Sequence, residues 1–172
     1  KAFGYASTVF GACTTAANHY STAFGYGTQA LNDGSTSFGS LTTANGDYST
    51  AFGLNSQASG LASVAFGNTA LASGSGSTAF GQSTQATNNA AVAFGNQTVA
   101  SGEDSTAFGS GTVASNFYST AFGLNTQANG ISSIAGGSSA VANGNNSIAL
   151  GSLATADGLS SLAIGIGNCL PG

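Results

Sequence analysis

The chain repeats itself every 14 residues, and no insertion interrupts this period. The segment Ser-Thr-Ala-Phe-Gly at 21–25 returns in each copy, either unchanged or as a close variant. One position of the repeat is glycine in all 12 copies, from Gly11 to Gly165, and another is alanine in all 12, from Ala2 to Ala156. A fixed period is typical of repeat proteins, in which each copy forms one structural unit that stacks on its neighbours.

Each copy divides into two halves of seven residues, which invites a coiled-coil interpretation. Glycine or Asn-Gly in each half would cost about 1 kcal/mol per site in a helix, and no charged residues flank the apolar positions. Collagen is excluded because glycine is not every third residue. The remaining regular solution is two short strands per coil, and we expect glycine or asparagine to supply the positive φ at each corner.

Alternation along a strand assigns the faces of the coil. Ser21 and Ala23 share one side of the first strand, and Thr28 and Ala30 share one side of the second. These positions carry small residues in nearly every copy, so we place them inside. The interior is then thin, and we expect its buried hydroxyls to hydrogen-bond to the backbone or to neighbours in the same column.

Phenylalanine fills an outward position of the first strand in nine consecutive copies, beside a column of Thr, Val, Ile and Leu. Nine rings stacked at roughly 4.8 Å would form a larger apolar stripe than a soluble monomer exposes. The stripe therefore needs a partner surface. The residues that we expect at this oligomer interface are Phe10, Phe24, Phe38, Phe52, Phe66, Phe80, Phe94, Phe108, Phe122, Leu150 and Ile164. In the last three copies Gly136, Leu150 and Ile164 replace Phe, and Ile134, Ile148 and Leu162 replace Thr, which we interpret as volume moved across the same interface.

Charge excludes several classes of partner. The chain has one Lys+Arg and five Asp+Glu, with a formal net charge of −4. It therefore offers no basic patch for nucleic acid and no cationic face for anionic lipid. No stretch of 18 apolar residues and no basic-then-apolar leader occurs, so we expect this segment neither to contact a membrane nor to carry an export signal.

Two constellations could in principle carry chemistry. His19 shares a corner column with Asp33 and lies near Ser21, as in a Ser-His-Asp hydrolase, but no nucleophile elbow or oxyanion hole accompanies them. We expect a surface corner and no enzymatic activity. The acidic residues are dispersed and form no calcium-loop signature, so we expect no metal and no cofactor. Asn96 and Asn145 begin glycosylation sequons, which arise readily by chance in such a sequence.

The aromatic residues of one corner admit two interpretations. Tyr20, Tyr48 and Tyr118 share a corner column, and with Phe117 they could form contact points for a ligand. The alternative, which we favour, is that they are solvent-facing turn residues that partly cover a neighbouring chain.

Cys13 and Cys169 are too far apart for an intrachain disulfide. They are separated by about eleven coils, or roughly 50 Å along a straight solenoid, whereas bridged Cα atoms lie within about 7 Å. Free thiols are the plain interpretation. If the 14-residue period continued into a second subunit, the Cys13 of that subunit would lie slightly less than one coil beyond Cys169 of the first. A disulfide between subunits is therefore the alternative interpretation.

The pattern Ser-x-Ala-hydrophobic-Gly-x-x-Ser/Thr-x-Ala-x-Gly resembles the head repeat of YadA-type trimeric autotransporter adhesins of Gram-negative bacteria, over essentially the whole chain. The resemblance implies an all-β, left-handed parallel β-roll of about 12 coils in a side-by-side homotrimer at the extracellular surface of the bacterium, beyond the outer membrane. On this basis residues 1–172 form a single β-roll domain, in which 166–172 are a short extension. The segment departs from the family pattern in that phenylalanine replaces the usual aliphatic residue and the charge is low. We expect no neck, stalk or anchor within these 172 residues.

Three functions follow from these observations. The first is an adhesin head, a rigid trimeric rod that makes multivalent contacts with host or matrix surfaces or with other cells. The second is an extracellular filament subunit, since coils run from Ala2 to Gly165 with little to cap the strand edges and head-to-tail stacking could follow. The third is an ice-binding solenoid, which Phe and the Val, Ile and Leu substitutions in the Thr column argue against.

Overall fold

The computed structural model describes residues 1–165, which form strands, turns and corners without a helix. Long strands, mostly of five residues, alternate with short strands of two. The long strands are β1 Thr8–Ala12, β3 Thr22–Tyr26, β5 Thr36–Ser40, β7 Thr50–Leu54, β9 Val64–Asn68, β11 Thr78–Gln82, β13 Val92–Asn96, β15 Thr106–Ser110, β17 Thr120–Leu124, β19 Ile134–Ser138, β21 Ile148–Ser152 and β23 Leu162–Gly165. The short strands are β2 Thr15–Ala16, β4 Gln29–Ala30, β6 Thr43–Ala44, β8 Gln57–Ala58, β10 Leu71–Ala72, β12 Gln85–Ala86, β14 Val99–Ala100, β16 Val113–Ala114, β18 Gln127–Ala128, β20 Val141–Ala142 and β22 Thr155–Ala156.

The strands form two parallel sheets. The long strands make a 12-stranded sheet and the short strands an 11-stranded sheet, each in chain order. Paired residues of neighbouring strands are 14 positions apart, as Ala65 and Ala79 are, and Ala72 and Ala86. The described chain is therefore a parallel β-solenoid of about 11 turns, which confirms the predicted all-β solenoid with 14-residue coils. Within residues 1–165 no helical segment has the length and hydropathy of a membrane span.

The interior consists of alanine, serine and threonine, as the alternation predicts. Ser21, Ala23, Thr28 and Ala30 are all fully buried, and the same positions are buried in almost every other coil. The largest fully buried side chain is threonine, so facing sheets approach closely enough to leave room for methyl and hydroxyl groups alone. Nothing larger than these groups fits inside, which forces every large side chain outward.

Most buried hydroxyls of the serine column have hydrogen-bond partners, whereas most of those in the threonine column do not. Serines of the long-strand side donate to the carbonyl three residues earlier, as Ser49 Oγ does to Gly46 at 2.6 Å. The expectation that all buried hydroxyls are paired is wrong for most of the threonine column. The hydroxyls without a hydrogen-bond partner among the described residues are those of Thr28, Ser63, Thr84, Thr98, Thr112, Thr126, Ser147 and Ser161.

One coil shows why the threonines lack partners. Thr42 Oγ1 lies 2.8 Å from Ser37 Oγ, which replaces the usual alanine five positions earlier. Opposite Thr84 the equivalent residue is Ala79, and a methyl group offers neither donor nor acceptor. The alanine column keeps the coil thin, and the threonine hydroxyls lose hydrogen bonds as a result.

The corners differ from the prediction that glycine or asparagine supplies positive φ. Tyr20, Leu41 and Tyr48 have φ of 57°, 55° and 57°, and alanine, serine, threonine and aspartate occupy equivalent corners. The backbone ladder continues around the bend, since Tyr48 N–H donates to the Asp33 carbonyl at 2.8 Å. These inter-coil bonds offset the roughly 1–2 kcal/mol that a left-handed residue costs, so the corners accept almost any side chain.

The glycine column that is complete in the sequence lies within the long strands, not at the corners. At Gly81 φ is +133°, and a Cβ built there would lie 1.9 Å from the carbonyl oxygen of Gly95 in the next coil. Close approach of successive coils therefore requires glycine at this position in the strand.

Candidate interface and contact surfaces

The phenylalanine column forms a continuous stack on the outer face of the long-strand sheet. From Phe10 to Phe108 successive ring centroids are 4.5–5.1 Å apart, and neighbouring ring planes differ by 2–11°. The parallel register of the strands aligns the rings, because each Phe pairs with the Phe of the next coil. We call this column, with the Thr/Val/Ile/Leu column that begins at Thr8, the apolar stripe.

The apolar stripe is exposed in the single chain. Phe66 exposes 37% of its surface, Phe108 54% and Phe10 65%, while Val64 and Val92 expose 37% and 36%. With about 150–250 Å² for a buried aromatic side chain, the nine rings together leave on the order of 700 Å² of apolar surface in contact with solvent. This area exceeds the roughly 300–600 Å² of the largest patch on a typical monomer.

The stripe changes character after Phe122. Gly136 is buried, and a Cβ built on it would lie 2.2 Å from Cζ of Phe122, so the Phe122 ring lies across it. Leu150 is half-buried and Ile164 is 66% exposed. Ile134 and Ile148, which replace threonine beside them, are half-buried. The sequence alone indicates the exchange of volume between the columns, but the ring conformation depends on tertiary packing.

The aromatic residues of the corner are well exposed. Tyr20, Tyr48 and Tyr118 expose 65%, 69% and 61% of their surfaces, and Phe117 exposes 46%. The Tyr48 ring lies over Gly34, where a Cβ would be 2.7 Å from its Cδ1 atom. These side chains lie on one edge of the solenoid, on the corner that precedes each long strand, and both interpretations of them, as turn residues or as contact points for a ligand, stay predictions.

The corner that holds His19 is a hydrogen-bonded ladder. His19 Nδ1 accepts from the Tyr5 N–H at 3.1 Å, and Asp33 Oδ1 accepts from the backbone N–H of His19, also at 3.1 Å. The hydroxyl of Ser21 is buried and donates to the Asn18 carbonyl at 2.5 Å. Serine, imidazole and carboxylate thus serve separate backbone contacts, an arrangement that does not activate a nucleophile.

The remaining candidate sites are a surface depression, the dispersed metal-ligating residues and the two asparagines of the glycosylation sequons. An open depression of about 230 Å³ lies on the short-strand sheet and is lined by Asn55, Gln57, Thr69, Ala70, Leu71 and Gln85. Among the described residues there is no group of three or more His, Cys, Asp or Glu suited to a metal ion. Asn96 and Asn145 are exposed, and their side chains take part in hydrogen bonds to Gln82 Oε1 and the Ile131 N–H.

Only one of the two cysteines lies within the described residues. Cys13 is exposed at a corner with φ of 58°. Cys169 lies outside the described residues, as do the other residues of the predicted 166–172 extension. The intersubunit disulfide therefore stays a prediction.

Each 14-residue coil contributes one long and one short parallel strand, which enclose a thin interior of Ala, Ser and Thr, and the apolar stripe faces outward. These features define a β-solenoid repeat domain of the adhesin-head class. The chain belongs to the YadA head domain repeat family, which confirms the resemblance seen in the sequence. The matched residues are 16–42, 30–56, 44–70, 58–84, 72–98, 86–112, 114–140 and 142–168. A search of curated proteins gives no match. Head repeats of this family belong to surface-exposed trimeric autotransporter adhesins, so the chain is an adhesin-like head domain.

Proposed function

We propose that this chain is the head of a bacterial cell-surface adhesin, in which three copies pack side by side through the apolar stripe. The observation that carries the proposal is the continuous Phe stack from Phe10 to Phe108, exposed along one face of the single chain. Because the interior of the rod admits only small side chains, the phenylalanines can be buried only against another chain. Membership of a family that forms homotrimers supports the same arrangement.

The stripe suits a second copy of the same chain. Neither of its columns contains a charged residue, so identical faces meet without electrostatic repulsion. Its rings recur once per rung, so parallel copies can match ring to ring along the rod. The exposed area, on the order of 700 Å² per chain, is close to the roughly 800 Å² per partner of a standard stable interface.

The corners remain available for adhesion in such a trimer. Exposed Tyr20, Tyr48 and Tyr118 supply amphipathic contact area at one edge of each rod. Three rods would display nine such tyrosines, so binding would rest on many weak contacts and not on one deep pocket. We therefore propose multivalent contact with extracellular matrix or other cell surfaces, and no catalytic activity.

The assembly is tested by Phe66→Ser combined with Phe80→Ser. Loss of two buried aromatic side chains per chain, each worth about 3–5 kcal/mol, should dissociate or aggregate the trimer. Leu41→Ser with Leu61→Ser is the matched control, because these leucines are 49% and 51% exposed at the corners. Sedimentation should give three times 16.4 kDa for the parent and the control. A double Phe variant that stays trimeric with unchanged melting would show that the stripe is not the interface.

Adhesion is tested on surfaces coated with extracellular-matrix extract. We expect retention of the parent protein, and at least several-fold weaker retention of a Tyr48→Ser, Tyr118→Ser variant that remains trimeric. The Leu41→Ser, Leu61→Ser protein again serves as the control for surface changes at corners. If the tyrosine variant binds as well as the parent, the tyrosine corner is not the adhesive surface.

A further inference from the structure

The apolar stripe is uniform over most of its length. Six consecutive rings, from Phe24 to Phe94, expose between 36% and 41% of their surfaces. Within this stretch neighbouring ring planes differ by no more than 6°. Successive rungs thus present nearly the same shape to a partner. Two such stripes could slip past each other by one coil and still match at almost every rung, so repetition alone specifies axial register weakly.

One rung breaks the uniformity. The Phe122 ring leans toward the next coil and covers Gly136, with Cζ, Cε2 and Cε1 at 2.2, 2.5 and 2.7 Å from the position of a Cβ at residue 136. The stack that runs from Phe10 ends at Phe108. Phe108 is 54% exposed, more than any of the six rings in the uniform stretch, because its neighbour on that side has turned away. The face therefore carries a step between Phe108 and Gly136.

We propose that Gly136, with Phe122 folded across it, is the element that sets the axial register between neighbouring copies. The proposal rests on the side-by-side assembly proposed above, and the partner is a second copy of this chain. When copies are in register, their steps lie at the same height and the rings on either side meet their equivalents. A slip of one coil sets the step of one copy against a regular ring of the next, which leaves unfilled space or overlap in a packed interface.

The local geometry makes Gly136→Phe an informative substitution. Gly136 is not among the residues with positive φ, so its backbone accepts a side chain. The atoms that a Cβ would meet belong to the far end of the Phe122 ring, which can rotate back toward Phe108. The variant should fold and extend the uniform column by one rung. Leu150→Phe is the matched control, because it adds a phenylalanine to the same column one coil later but leaves Gly136 in place.

Register is measured by disulfide trapping in chains whose own cysteines are replaced by serine. Single substitutions Thr78→Cys and Gln82→Cys are first compared, and the position that crosslinks better between identical chains is kept. That chain is then mixed with a chain bearing cysteine 14 residues later, as Val92→Cys or Asn96→Cys, which lies one rung further along. Same-rung and one-rung-off products are quantified by non-reducing electrophoresis, and chain mass is measured by sedimentation.

The parent and Leu150→Phe proteins should give same-rung product almost exclusively. Gly136→Phe should raise the ratio of one-rung-off to same-rung product by roughly tenfold. The variant removes the step in the stripe, so a slip of one coil no longer causes a packing misfit between the copies. If Gly136→Phe keeps the parent ratio in a trimer, the register proposal is overturned and the side-by-side assembly stands. If the parent protein is monomeric, or forms an oligomer without same-rung product, the assembly itself is overturned.

Discussion

Substitution of Gly81 by alanine should sharply destabilise the solenoid. The added Cβ would lie 1.9 Å from the Gly95 carbonyl oxygen and 2.8 Å from its carbon, and these backbone atoms belong to the next coil of the sheet. Backbone at φ of +133° costs an alanine about 1–3 kcal/mol. Relief of the overlap must separate two rungs and weaken ladder hydrogen bonds worth about 1 kcal/mol each. We therefore expect Gly81→Ala to lower the free energy of unfolding by at least about 3 kcal/mol.

The matched control is Gly76→Ala, five residues away in the same chain. Gly76 also has positive φ, of +65°, but a Cβ there would meet nothing within 4 Å. Alanine already occupies the equivalent corner positions, Ala62 with φ of 52° and Ala90 with φ of 50°. The cost of the left-handed conformation is partly offset by the lower entropy of the unfolded chain, so we expect a change within about 1 kcal/mol.

Urea unfolding followed by far-ultraviolet circular dichroism measures both variants. Protein concentration must be equal throughout, because unfolding of an oligomer is linked to dissociation. The parent and Gly76→Ala should share a midpoint, and Gly81→Ala should unfold at markedly lower urea. If the two variants unfold together, close approach of the coils is not what requires glycine in the strands.

Three further outcomes are expected. Ala79→Ser copies the natural Ser37–Thr42 pair, so it should give Thr84 Oγ1 a hydrogen-bond partner and raise the free energy of unfolding by about 1 kcal/mol, as measured by urea unfolding. A lower free energy of unfolding would mean that the coil cannot admit the extra oxygen atom. Thr84→Val should be neutral or slightly stabilising by the same assay, since it removes a buried hydroxyl without a partner; a loss above about 2 kcal/mol would contradict this. Non-reducing electrophoresis should show a ladder that collapses with reductant if Cys13 and Cys169 join subunits, and Cys13→Ser should abolish it; a single band under both conditions would remove the covalent polymer.

The 14-residue repeat determines much of the architecture because the same residue pattern folds into the same kind of coil in each copy. A 14-residue period with two complete columns of glycine and alanine permits few regular structures other than two strands per coil. The alternation of Ser21 and Ala23 with Thr22 and Phe24 then assigns inside and outside, since side chains alternate across a strand. Burial of the first pair and exposure of the Phe24 ring agree with that assignment.

The corners could not be predicted from residue preferences. Propensity favours glycine or asparagine at positive φ, yet Tyr48 and Leu41 adopt it. The stabilising bond of Tyr48 N–H reaches the Asp33 carbonyl, which the chain brings near only when it closes a full coil. Local sequence rules omit this contribution, because it arises between residues about one period apart.

The sequence by itself determined the period, the parallel register and the outward placement of the phenylalanines, because these follow from spacing and side-chain size. Tertiary structure alone decided that threonines such as Thr84 lack a hydrogen-bond partner and that Phe122 turns to cover Gly136. Both outcomes depend on the distance between facing or successive coils. The distance between successive coils is set by the closest backbone contact, at the glycine column, and the distance between facing sheets by the alanine column. Neither distance can be read from the side chains that adapt to it.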